Sequence, residues 1–79
     1  MHNTIIEVTI TTATNRWSAT TVNTTTIKEF LDDENINYNS CVVHLDGMPL
    51  STDELNTTFE EQGVTESCML AAIIKAVNA

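Results

Sequence analysis

The segment Cys68-Met69-Leu70-Ala71-Ala72-Ile73-Ile74 is apolar at seven successive positions. Such a run has no polar face to turn toward water, so it cannot be an amphipathic surface element. It is either a buried helix or a central strand of a sheet. Ile73, Ile74 and the nearby Val77 favour the strand, and Ala71 and Ala72 favour the helix. Local composition leaves both open.

The remainder of the chain narrows the choice. Ile6, Val8 and Ile10 alternate with Glu7, Thr9 and Thr11. This period of two in β-branched residues predicts a strand with one buried face. Thr14-Asn15 breaks it, and Trp17 to Val22 predicts a second strand, antiparallel to the first in a hairpin. Trp17 is expected to pack at the core or at its edge. Thr26 followed by Glu29 has the spacing of a capping box. Ile27, Phe30, Leu31 and Glu34 share one face at helical spacing, while Lys28, Glu29, Asp32 and Asp33 occupy the other. An amphipathic helix of two to three turns follows, ended by Asn35 or Asn37 in the left-handed conformation. Cys41 to Leu45 predicts a short strand, Asp46-Gly47 a tight turn, and Pro49 confines Met48 to Leu50 to an edge or a brief strand. Ser51 and Glu54 repeat the capping-box spacing, and Leu55 and Phe59 stand four apart. A second short helix over Ser51 to Gln62, stopping at Gly63, is expected.

Hairpin, helix, strand, turn, short helix and last strand make one α+β domain spanning residues 1–79. Its main helix packs on one face of a mixed sheet of four to five strands. The first and last strands are then neighbours in the middle of that sheet, and a central strand tolerates an apolar run. The arrangement thus favours the strand for Cys68 to Ile74. Alternation places Val43, Leu45, Leu70, Ala72 and Ile74 toward the helix. It leaves Val42, His44, Met69, Ala71 and Ile73 on the open face, as an apolar stripe with one imidazole.

Charge is distributed unevenly. The formal net charge is -8, and residues 29–66 hold ten acids and no Lys or Arg. Such a field repels phosphate backbones and anionic lipid and attracts a basic protein surface, so neither nucleic acid nor membrane is the expected partner. Asp32, Asp33, Glu60 and Glu61 are the acids chosen as contact candidates. No apolar run approaches the length of a membrane span, and MHNTIIEV lacks the pattern of a signal peptide, so a cytoplasmic location is expected. On that expectation the sequons at Asn23 and Asn56 are chance matches. Cys41 and Cys68 fit neither zinc nor CxxC spacing, and they begin antiparallel neighbours at opposite ends, so no disulfide is expected.

Three segments carry a family resemblance. TTTIKEFL is similar to the helix opening of the ThiS-type proteins, VVHLDGMPL resembles their strand-turn-strand, and LNTTFEEQGVTESCML looks like their lead into the last strand. Together with the element order they resemble the β-grasp fold of ubiquitin and the bacterial sulfur carriers ThiS and MoaD. Ubiquitin and the carriers end in Gly-Gly, whose missing side chains let the tail thread into an activating enzyme. Here the glycines are Gly47 and Gly63, and the chain ends Val77-Asn78-Ala79. The carrier chemistry therefore maps onto no residue of this chain. The resemblance also implies a binding role through the open sheet face, where His44 departs from the apolar pattern of ubiquitin's receptor-binding patch.

No catalytic set is expected, because Cys41 and His44 fall on opposite faces of one strand and His2 lies at the chain end. The acid pairs Asp32-Asp33, Asp53-Glu54 and Glu60-Glu61 lack calcium-loop spacing, and no cofactor is implied. The reading is a non-catalytic, protein-binding module acting through its acidic surface, its open sheet face, or both. A homodimer through the Met69 and Ile73 stripe is a further assembly considered. The alternative function is a degenerate or C-terminally truncated sulfur carrier or ubiquitin-like modifier.

Overall fold

A computed structural model of the chain describes residues 3–74. Its elements are β1 (Ile5–Thr11), β2 (Arg16–Val22), α1 (Ile27–Asp33), β3 (Cys41–Leu45), β4 (Met48–Pro49) and β5 (Ser67–Ile74), with 3-10 turns at Tyr38–Ser40 and Glu54–Asn56. They form one five-stranded sheet in the order β2-β1-β5-β3-β4. β5 runs parallel to β1 and antiparallel to β3. The apolar run is therefore the central strand, with hydrogen-bonding partners on both edges. Val77, which also entered that expectation, lies outside the described residues, as does His2.

The core sits between the sheet and α1. Ile6, Val8 and Ile10 from β1, Val43 and Leu45 from β3, and Cys68, Leu70 and Ala72 from β5 are all buried. Ile27, Phe30 and Leu31 close over them from the helix, joined by Leu55, Phe59 and Val64 from the segment after β4. Ile74 is the exception to the expected inward set. It faces the helix side by alternation but is 64 % exposed. Opposite Cys41, it stands one pair beyond Val43 and Ala72, where the sheet outruns the layer that covers it.

Both ends of α1 are built from local side chains. Thr26 Oγ1 accepts the Glu29 N–H at 3.1 Å, and the Glu29 carboxylate accepts the Thr26 N–H at 3.2 Å, which completes the capping box. At the other end Asn35 takes φ 59°. Ile36 N–H then donates to Leu31 O at 2.9 Å and Asn35 N–H to Asp32 O at 3.1 Å, satisfying carbonyls that the last turn would otherwise strand. The bonds from Thr26, side chain first and backbone second, hold the Glu29 carboxyl below its ordinary range. A depressed folded-state value means that this stabilisation is present above the unfolded carboxyl's titration and is lost as pH falls through the folded value. Thr26→Ala is expected to cost about 1 kcal/mol at neutral pH. It should also flatten the acid limb of the stability curve, as denaturant melts across that pH range will show. An unchanged acid limb would mean the capping box is not the source of the dependence.

The expected helix over Ser51 to Gln62 does not form. The capping box at its start is present, with Ser51 N–H donating to Glu54 Oε1 at 2.9 Å and Glu54 N–H to Ser51 Oγ at 3.2 Å. It opens only one 3-10 turn, because Thr57 is extended at φ -90°, ψ 157°. The cause is a third box directly after it. Thr58 N–H donates to Glu61 Oε1 at 2.9 Å and Glu61 N–H to Thr58 Oγ1 at 3.0 Å. A capping residue needs extended backbone, so a second box seven residues on interrupts the helix that the first begins. Leu55 and Phe59 still reach the core, from two separate turns.

Asn23, the first sequon residue, is buried: its Oδ1 accepts the Thr4 N–H at 3.1 Å. Asn56 is exposed. Cys41 pairs with Ile74 while Cys68 is the second residue of the same strand, so the two free thiols lie about 20 Å apart, far beyond disulfide reach. Among the described residues no helix is long and apolar enough to cross a membrane.

Candidate protein interface

Among the described residues nothing covers the face of the sheet away from α1, and this face divides into two halves. On β1 and β2 it presents mainly Glu7, Thr9, Thr11, Arg16, Ser18 and Thr20. On β5 and β3 it presents Met69, Ala71, Ile73, Val42 and His44. The registers make the second half contiguous: Val42 lies opposite Ile73, and His44 opposite Ala71. Thr9 and Thr11 stand beside Met69 and Ala71 across the parallel ladder. Met69 is 40 % and Ile73 52 % exposed. The five open-face residues expected from alternation thus form one patch.

Asp46 sets its geometry. The Asp46-Gly47 turn has φ 50° and 87°, the doubly left-handed form that suits a two-residue hairpin. That turn aims the Asp46 side chain back along the sheet, where Oδ1 accepts the Met69 N–H at 2.9 Å. Met69 O in turn accepts the Asp46 N–H at 2.9 Å. The Met69 peptide is clamped from both sides, which holds its side chain at the patch rim. His44 is half-buried, not a freely exposed polar residue: its Nδ1 is closed off from solvent and has no hydrogen-bond partner among the described residues. Pro49 lies opposite it on β4, on the side away from Ala71.

The acidic candidates lie elsewhere. Asp32 and Asp33 are exposed on α1, on the covered side of the sheet, and Glu60 and Glu61 occupy the turn after Thr58. The structure does not bring them to the apolar patch. Several acids of the middle segment already serve the fold. Glu61 caps Thr58 and Glu29 caps Thr26, Glu54 accepts from Ser51, and Asp46 accepts from Met69. Glu34 accepts the Trp17 Nε1–H at 2.7 Å, which ties the end of α1 to β2. Sequence reasoning missed the roles of Asp46 and Glu34, because each depends on a partner 17 or more residues away. The Thr58 and Glu61 box, by contrast, had the same visible spacing as the two that were read.

Cys41 faces the helix side and His44 the open side, so β3 makes no thiol–imidazole pair. A groove of about 450 Å³ next to Cys41 is lined by Lys28, Tyr38, Leu50 and Leu55 among others. Among the described residues no three His, Cys, Asp or Glu side chains gather into a metal-binding group.

A mixed five-stranded sheet grasping one helix, with β1 and β5 parallel at its centre, defines the ubiquitin-like fold. Solved structures agree. The ubiquitin-like domain of an Arabidopsis thaliana protein superposes with a TM-score of 0.74 at 20 % identity, covering 95 % of this chain and 82 % of that one. A ubiquitin-like protein from Trypanosoma brucei gives 0.67 at 21 % identity, covering 91 % and 96 %. Caldiarchaeum subterraneum ubiquitin gives 0.68 at 13 % identity, covering 96 % and 100 %. No family model matches the chain, and no curated protein sequence matches it. These neighbours are ubiquitin-like domains, and at this identity the likeness is one of fold.

Proposed function

We propose that this chain is a non-catalytic protein-binding module that engages its partner through Val42, His44, Met69, Ala71 and Ile73. One observation carries the reading: exposed Met69 and Ile73 continue into Ala71 and Val42 on a sheet face that none of the described residues covers. Contiguous apolar surface of this kind on a small domain marks contact with another molecule. The acids on the other side act at longer range. They favour a basic partner and raise the encounter rate without touching it.

The two surfaces predict separable effects. Ile73→Arg should weaken partner binding by about tenfold or more, with an unchanged circular dichroism spectrum. Charge reversal at Asp32, Asp33, Glu60 and Glu61 should slow association and reduce its salt sensitivity, yet leave the dissociation rate nearly unchanged. The measurement is surface-immobilised capture of a partner isolated with the wild-type chain. Equal affinity of the wild type and Ile73→Arg would rule out the open face as the contact.

A further inference from the structure

The two edges of the sheet are finished differently. β4 is two residues long and contains Pro49, both of which discourage further strand pairing. β2 is seven residues long and lies at the other edge, paired only with β1. Its register with β1 runs from Val22 opposite Ile5 to Arg16 opposite Thr11 without a bulge. Its sequence, RWSATTV, has no proline, lysine or acid, and its residues are mostly strand-favouring. Arg16 at its first position is its one charged residue, and the rest of the edge carries none of the usual protective devices.

The outward groups can be assigned. Asn23 N–H donates to Thr4 O and Thr12 N–H donates to Asn15 O, each at 2.8 Å. These two bonds set the phase of the ladder, so Trp17, Ala19 and Thr21 form the bonded pairs with β1. Arg16, Ser18, Thr20 and Val22 therefore turn their N–H and C=O groups away from the sheet. Val22 O accepts the Thr25 N–H at 2.9 Å. Among the described residues nothing bonds the outward groups of Ser18 and Thr20.

We propose that this edge pairs with the same edge of a second copy of the chain, giving a continuous ten-stranded sheet. Antiparallel pairing about a two-fold axis at Ala19 overlaps all of β2. It places Ser18 opposite Thr20, Trp17 opposite Thr21 and Arg16 opposite Val22, with no like charges face to face. Both helices then lie on one side, and both open faces remain free. Charge selects this edge for self-contact. Each chain carries -8, but residues 1–28 carry only Glu7 against Arg16 and Lys28, and the ten acids of residues 29–66 follow later. Two acids adjoin β2: Glu34, bonded to Trp17, is kept from its own counterpart by the about 13 Å between the two Trp17 positions along the paired strands, beyond the screening length at physiological salt, and Glu60, whose N–H donates to Asn23 O at 2.9 Å, lies toward Arg16 of the second copy. Only the strand edges and their flanking side chains touch, so the dimer is weak and reversible.

Sedimentation equilibrium from about 10 µM to about 1 mM, a range suited to small transient interfaces, reads the result. The wild-type mass should rise from 8.7 kDa toward twice that value. Amide exchange at Ser18 and Thr20 should slow several-fold at the high concentration. The double variant Ser18→Lys with Thr20→Lys sets lysine against lysine across the axis on exposed positions and should stay monomeric. Thr20→Pro, which removes an outward N–H without touching a β1 bond, should do the same. A wild type that stays at 8.7 kDa throughout overturns the proposal. So does a dimer that survives both β2 changes, or one that Ile73→Arg abolishes, which would place the contact on the apolar face. Protection of Ser18 and Thr20 only in the presence of another protein would assign the edge to a foreign strand instead.

Discussion

Phe59→Ala should bring the domain to the margin of unfolding at physiological temperature. Phe59 is fully buried although it belongs to no helix or strand. Its ring meets Phe30 edge to face, with centroids 5.6 Å apart and planes at 86°. Its backbone is equally committed: the N–H donates to Thr25 O at 3.2 Å, and the carbonyl accepts from Val64 at 3.0 Å. The residue thus joins the start of α1 to the approach to β5. Removing the ring costs about 3–5 kcal/mol through lost transfer energy and the cavity left behind. For 79 residues, a total stability of about 4–12 kcal/mol is typical, so the loss removes a large share of it, and all of it toward the lower end. Glu60→Ala, next in the chain and exposed, should stay within about 0.5 kcal/mol of wild type. Urea midpoints measure both, and a Phe59→Ala midpoint close to that of Glu60→Ala would show that the segment is not part of the cooperative core.

That Phe59 reaches the core was legible in the chain; how it gets there was not. Spacing from Leu55 to Phe59 suggests one helical face, whereas each side chain arrives from its own turn. The pattern of apolar positions survives either backbone, so apolar spacing alone cannot separate them. The polar letters around Phe59 could: Thr58 and Glu61 form a box that forces Thr57 and Thr58 out of the helix. Where a local signal stands alone, as at Thr26 and Glu29, or where alternation is strict, as from Ile6 to Ile10, the reading and the structure coincide. The same holds for the open-face residues of β3 and β5, whose facing follows from alternation once the order of strands is known.

The acids show the opposite case. Their number and clustering are plain in the sequence, and they suggest a free charged surface. The structure draws Glu29, Glu54 and Glu61 into capping boxes, Glu34 onto Trp17 and Asp46 onto Met69. Caps are read from spacing of three, but the last two contacts cross the fold and have no sequence signature. A carboxylate that accepts a bond from its own chain keeps its charge while losing freedom to rearrange around a partner. On the proposed binding role, this shifts the direct contact toward the apolar patch and leaves the acids a role in attraction.

Burial governs the second large effect, on the thiol of Cys68. Burial, with the nearby Asp46 carboxylate as the smaller contribution, pushes that thiol from its ordinary 9.0 up to about 12. Thiolate is the reactive form, so its fraction at neutral pH falls by about a thousandfold relative to an ordinary thiol. Cys41 is only half-buried, at the far end of the sheet. A disulfide-exchange reagent added to the native protein should modify one thiol within minutes and the other only on denaturation. Cys41→Ser should remove the fast phase and Cys68→Ala the slow one. The raised value carries a stability consequence of definite sign: the folded state holds its proton while the unfolded thiol ionises. The stabilisation is complete below the unfolded value and declines as pH rises from about 9 toward about 12. Cys68→Ala should therefore show a shallower alkaline loss than wild type in denaturant melts. Two thiols reacting at equal rates in the native protein, or identical alkaline limbs for the variant and the wild type, would place Cys68 in contact with water and remove the basis for both effects.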